Sequence, residues 1–178
     1  IRLSNIWYGY LDRVHTTTCA VGISVNYCYN LTIQNCRINA RRADTSTAIG
    51  IDLVDRSMAT LIGGAVEGYQ TGIRMGVGCT LQGTGVYFES DAPSVNAVGI
   101  KMGTGASSVS MQGSQVYLTN HKAWIDCAGN TGERITSMGN RFKGGAAGTT
   151  SYAYKWVNPN TGALRVILFG DSFMDAQG

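Results

Sequence analysis

The stretch from Val98 to Val116, VGIKMGTGASSVSMQGSQV, decides the fold. It opens on Gly99-Ile100-Lys101-Met102, in which apolar and polar residues alternate. A short Gly/Ser turn follows, and then a second in-out-in triplet, Val109-Ser110-Met111. Gly113 and two further residues lead to Val116, where a third alternation begins. A period of two is that of a strand with one face buried.

Working outward, the same pattern recurs about six times, at a period that marks repeat architectures. One copy is Gly22-Ile23-Ser24-Val25, Leu31-Thr32-Ile33, Asn35 and Ile38. The next is Gly50-Ile51-Asp52-Leu53, Leu61-Ile62, Gly63 and Val66. It is followed by Gly72-Ile73-Arg74-Met75, Leu81, Gly83 and Val86. Later copies run through Trp124-Ile125-Asp126-Cys127, Ile135 to Met138, Gly139 and Phe142, then Trp156-Val157, Val166-Ile167-Leu168, Gly170 and Phe173. Successive starts lie roughly 22 to 31 residues apart, and no unit contains a 3.6-residue period or a Leu/Asn ladder. Three strand patterns per unit predict a three-sided, right-handed parallel β-helix of about six rungs, the hand following that of parallel crossovers. Residues 1–20 read as an incoming rung, 21–173 as the repeats and 174–178 as a tail, all in one domain. Ile23, Ile51, Ile73, Ile100 and Ile125 are expected to stack as one interior ladder.

Composition agrees with strands and tight corners: 24 of the 178 residues are glycine, two are proline and only 14% are charged. A net charge of +3 without a basic cluster larger than Arg41-Arg42 predicts no nucleic-acid partner. No apolar run is long enough for a membrane span. The five cysteines lack metal-ligand spacing and read as small buried hydrophobes kept reduced, so no metal or cofactor is expected. Neither end carries an evident capping unit, which predicts a segment of a longer fibre.

Two features go beyond architecture. The returns between rungs alternate long (41–48, 90–97, 144–151) and short, and insertions in repeat proteins gather on a binding face. Counting outward from each third-strand anchor also brings Arg41, Glu67, Tyr69, Tyr87, Glu89 and Tyr117 to one face. Tyrosine rings offer flat apolar faces with polar tips, and carboxylates accept hydrogen bonds from hydroxyls, so this face suits sugar. An aromatic ladder that only stabilises the sheet explains the pattern equally well. One rung and two residues apart, Glu67 and Glu89 would be separated by roughly 8 Å, a spacing that accommodates water in inverting glycoside hydrolysis. They are the candidate acid and base, with Arg41, Tyr69, Tyr87 and Tyr117 as substrate contacts.

The Gly-Ile-x-[Met/Leu] rungs, the Gly/Asn-x-x-Val turns and the free cysteines resemble the pectate-lyase-like right-handed β-helix of bacteriophage tailspikes and tail fibres. The clustered acids through which pectate lyases hold calcium are not in this sequence. The resemblance implies a homotrimer on the virion, assembled in the host cytoplasm and acting at the host surface. It also implies recognition of bacterial surface polysaccharide, capsule or lipopolysaccharide, and in many members its cleavage by an Asp/Glu pair. A non-catalytic receptor-binding or shaft segment, and a bacterial secreted lyase or adhesin, are the alternatives. Trp7, Tyr8 and Tyr10 are too aromatic for a plain strand face and fit a contact between chains.

Overall fold

The computed structural model describes residues 1–40, 47–90, 97–103, 105, 108–117, 121–127, 134–144, 152–155 and 165–174. These residues form three parallel sheets of seven strands each, and every third strand along the chain joins the same sheet. This is the three-sided parallel β-helix read from the repeats. The incoming stretch supplies a complete rung of its own, with strands Arg2–Ser4, Gly9–Asp12 and His15–Thr16.

The interior ladder forms as the Gly-Ile pattern requires. Ile23 pairs with Ile51, Ile51 with Ile73, Ile73 with Ile100 and Ile100 with Ile125, all buried. The glycine before each isoleucine has a packing cause. A Cβ on Gly22, Gly50 or Gly72 would lie 2.7, 2.6 or 2.5 Å from the carbonyl oxygen of the next glycine in the lane. At the top of the lane Trp124 replaces glycine, and its indole Cδ1 would lie 2.6 Å from a Cβ on Gly99. Only a bare backbone at Gly99 leaves room for that ring. Trp124 then gathers Phe88, Phe142 and Tyr154 at ring distances of 6.4, 5.0 and 5.7 Å, all edge-on. Cys28, Cys36, Cys79 and Cys127 are buried free thiols, as their apolar reading implied, while Cys19 is half-buried.

The third sheet departs from the expected register. Phe88, not Val86, is the inward anchor between Val66 and Val116. The sequence contains two overlapping Gly-x-x-apolar readings, Gly83 with Val86 and Gly85 with Phe88. Gly83 lies inside the strand Thr80–Thr84, where the Met111 side chain fills the space a Cβ would take. Gly85 makes the corner, at φ +66, and its N–H donates to Gln112 O. Val86 drops into the corner slot, and the anchor moves two residues on. A shift of two keeps the inside–outside parity, so Tyr87 and Glu89 still face outward, but it places Glu89 directly opposite Glu67.

The last rung also differs. Its first strand is Tyr152–Lys155, with Tyr154 paired to Ile125, whereas the sequence pointed to Trp156-Val157, which lies outside the described residues. Both choices satisfy a period of two, but Tyr154 has a polar site for its hydroxyl. It donates to Asp171 at 2.6 Å and lies 2.5 Å from Ser137 Oγ.

Candidate functional site

From Arg37–Asn39 onward each third-sheet strand is three residues long, so an outward residue flanks the inward anchor on either side. Arg37-Ile38-Asn39, Ala65-Val66-Glu67, Tyr87-Phe88-Glu89, Gln115-Val116-Tyr117 and Arg141-Phe142-Lys143 stack in register. The outer face is therefore two columns of side chains repeating at the strand spacing of about 4.8 Å.

One column is Asn39, Glu67, Glu89, Tyr117 and Lys143. Two glutamates directly opposite repel, and each has a partner that offsets this. Arg37 Nε donates to Glu67 Oε2 at 2.7 Å, and Tyr87 donates its hydroxyl to Glu89 Oε2 at 2.6 Å. Burial, followed by that hydrogen bond to a carboxylate, pushes the Tyr87 phenol well above its ordinary value. Tyr87 also meets Tyr117 at a ring distance of 5.4 Å and a tilt of 57°. On the other side of Tyr117, the Lys143 ammonium sits 5.4 Å from the ring centroid. The result is a polar-aromatic strip with paired acids in its middle and, at its upper end, cations that have no carboxylate partner among the described residues.

Of the sequence-derived residues, Glu67, Glu89, Tyr87 and Tyr117 come together here. Tyr69 does not. Gly68, at φ +61, ends the alternation after Glu67, and the next side chain turns into the core, where Tyr69 is completely buried. Burial raises its phenol far above the ordinary range, and no sugar can reach it. Arg41 and most of the long returns at 41–48 and 90–97 lie outside the described residues. The diagonal spacing expected of Glu67 and Glu89 is also corrected. The two are in-register partners one rung apart, with backbones about 4.8 Å apart, so the two-residue offset behind the diagonal estimate is absent.

No family model, curated protein or solved structure matches the chain. Sequence reasoning missed Arg37, Gln115, Arg141 and Lys143, although the signal was present. They flank the same apolar anchors, Arg37, Gln115 and Arg141 on the side that counting forward from each anchor passes over.

Two other polar groupings are architectural. On the first sheet Arg74 forks onto Asp52, with contacts of 2.8 and 2.6 Å, beside an open depression walled by Leu53, Val54 and Met75. Arg74 is largely exposed, so this pair is worth at most about 1 kcal/mol. Near the last rungs Asp171 accepts from Ser137 Oγ at 2.6 Å, from the Tyr154 hydroxyl and from the Asn140 backbone N–H at 2.8 Å. Ser137 and Asn140 are fully buried. Donors already occupy that carboxylate, and it serves as a polar corner in place of the apolar corner at Val86. Among the described residues no three His, Cys, Asp or Glu side chains stand close enough to hold a metal ion.

Proposed function

We propose that the chain is a segment of a trimeric phage fibre or tailspike whose third sheet binds bacterial surface polysaccharide without cleaving it. The observation that carries this reading is the ordered outward strip from Arg37 to Lys143. Its rings and hydrogen-bonding groups are held by one another before any ligand arrives, which lowers the ordering cost of binding. A parallel β-helix repeats that strip along its axis, and so fits a polymer better than a compact molecule. The tyrosine edges and the glutamate oxygens supply apolar surface and hydroxyl acceptors side by side.

Cleavage is disfavoured by the partners of the two acids. Glu67 accepts from Arg37 and Glu89 from the Tyr87 hydroxyl, so each is held as a fixed acceptor. The trimeric setting is supported by Trp7, Tyr8 and Tyr10, exposed at 72, 80 and 60% on the first rung. Aromatic surface of that extent suits a contact between chains.

The test is retention of the chain on surfaces coated with capsular polysaccharide and lipopolysaccharide preparations, with light scattering on the same samples. A mass of three chains and retention on at least one coating are expected. Tyr87→Ala and Tyr117→Ala should each weaken retention about tenfold, near the upper end of what an aromatic contact supplies. Unchanged retention in folded variants leaves the tyrosines as a packing ladder and removes the reading. Oligosaccharide released by the parent, and lost in Glu67→Gln or Glu89→Gln, restores a catalytic role for the pair.

A further inference from the structure

At the upper end of the strip four outward side chains form a square. Gln115 is the partner of Arg141, and Tyr117 of Lys143, on adjacent strands. With Val116 they bound a half-open pocket of about 200 Å³. Gln115, Arg141 and Lys143 are exposed, and Tyr117 is half-buried.

The charges around this pocket do not cancel. The two acids of the strip already have partners, Glu67 with Arg37 at 2.7 Å and Glu89 with the Tyr87 hydroxyl at 2.6 Å. Among the described residues no carboxylate lies within ion-pair distance of Arg141 or Lys143, in contrast to Arg74 on the first sheet, which Asp52 satisfies. The Tyr117 ring lies beneath the Lys143 ammonium and holds it at the rim by a cation–π contact. A planar guanidinium with parallel donors stands beside it, matched to an oxyanion. The Gln115 amide adds a donor and an acceptor suited to a hydroxyl next to that anion.

We propose that the pocket bounded by Gln115, Tyr117, Arg141 and Lys143 is an anion subsite that takes an acidic unit of the polysaccharide, a sugar bearing a carboxylate or a phosphate. Arg141 forks onto the oxyanion, Lys143 closes on it from the Tyr117 side, and Gln115 reads a neighbouring hydroxyl. This assignment rests on the polysaccharide reading of the third sheet and narrows it to acidic polymers.

The experiment measures retention on alginate, gellan and xanthan (carboxylates), on a teichoic acid (phosphate), and on dextran and levan (neutral). Parent chain is compared with the Arg141→Gln/Lys143→Gln double variant and with Arg134→Gln, a control on the outer face of the second sheet. Retention is expected on at least one acidic polymer and on neither neutral one. It should fall about a hundredfold in the double variant, tenfold for each charge-assisted contact, and stay unchanged in the control. Whether alginate-type polymers or the teichoic acid bind identifies the oxyanion as carboxylate or phosphate. Equal loss in the control reduces the effect to net charge and overturns the subsite, as does retention on acidic polymers that the double variant keeps. Retention on dextran or levan alone overturns the subsite but leaves the polysaccharide reading standing. Retention on none of the six overturns the subsite, and absence of retention on the capsule and lipopolysaccharide coatings as well overturns both.

Discussion

Trp124→Ala is expected to lower the unfolding free energy by about 3–5 kcal/mol. Trp124 is fully buried between the first and third sheets, and its ring meets Phe88 from two rungs below and Tyr154 from the rung above. Removing the indole opens a cavity that cannot collapse, because the sheets on either side are fixed by their own ladders. The loss also propagates: in a solenoid each rung is stabilised by its neighbours, so one defective interface loosens the rungs beyond it. Trp124→Phe separates shape from polarity. The indole Nε1 is buried with no hydrogen-bond partner among the described residues, so phenylalanine forfeits packing but removes an unsatisfied donor. It should cost about 1–2 kcal/mol, since part of the lost packing is returned by the donor's removal. Urea unfolding followed by far-UV circular dichroism measures both. A Trp124→Ala cost below that of Trp124→Phe would mean that the ring is not the keystone of this core.

Gly72→Ala is expected to cost about 3 kcal/mol despite adding one methyl group. The new Cβ would lie 2.5 Å from the Gly99 carbonyl oxygen and 3.0 Å from the Tyr69 ring. The carbonyl belongs to the ladder of the next rung and cannot move without breaking it, and Tyr69 is held in the core. Alanine ordinarily stabilises by restricting the unfolded chain, so both the sign and the size are diagnostic. Gly113→Ala makes a useful contrast. No atom lies within 4 Å of its Cβ, so its cost is confined to the positive φ of 59°. If Gly72→Ala were the milder of the two, the close approach of successive rungs along the glycine lane would be refuted.

The interior of the fold was legible in the sequence because it rests on two robust signals: alternation and the Gly-Ile step. Five isoleucines therefore fell on one ladder. The third sheet was legible only in part. Gly83 and Gly85 offered equivalent turns, and sequence spacing alone does not reveal that Met111, one rung above, already fills the space over Gly83. Tyr69 fell on the outward parity, but alternation holds only while the chain stays extended, and Gly68 ends the strand one residue earlier. The sequence pointed to Trp156-Val157 for the last rung, and Tyr154 takes the place opposite Ile125, where its hydroxyl has a partner at Asp171, distant in sequence. The site followed the same logic. Tyr87, Glu89, Glu67 and Tyr117 were found by parity, and their pairing was not, since it depends on the register between rungs.

The proposal that the outer face of the third sheet binds polysaccharide is open to hydroxyl-radical footprinting. The folded chain is oxidised with and without the coating polymer that retains it, and modification is read residue by residue. Tyr87 and Tyr117 are predicted to be protected by the polymer, while Trp7, Tyr8 and Tyr10 on the first rung react to the same extent in both samples. Unchanged modification of Tyr87 and Tyr117, with protection falling instead on Trp7, Tyr8 and Tyr10, would contradict the account.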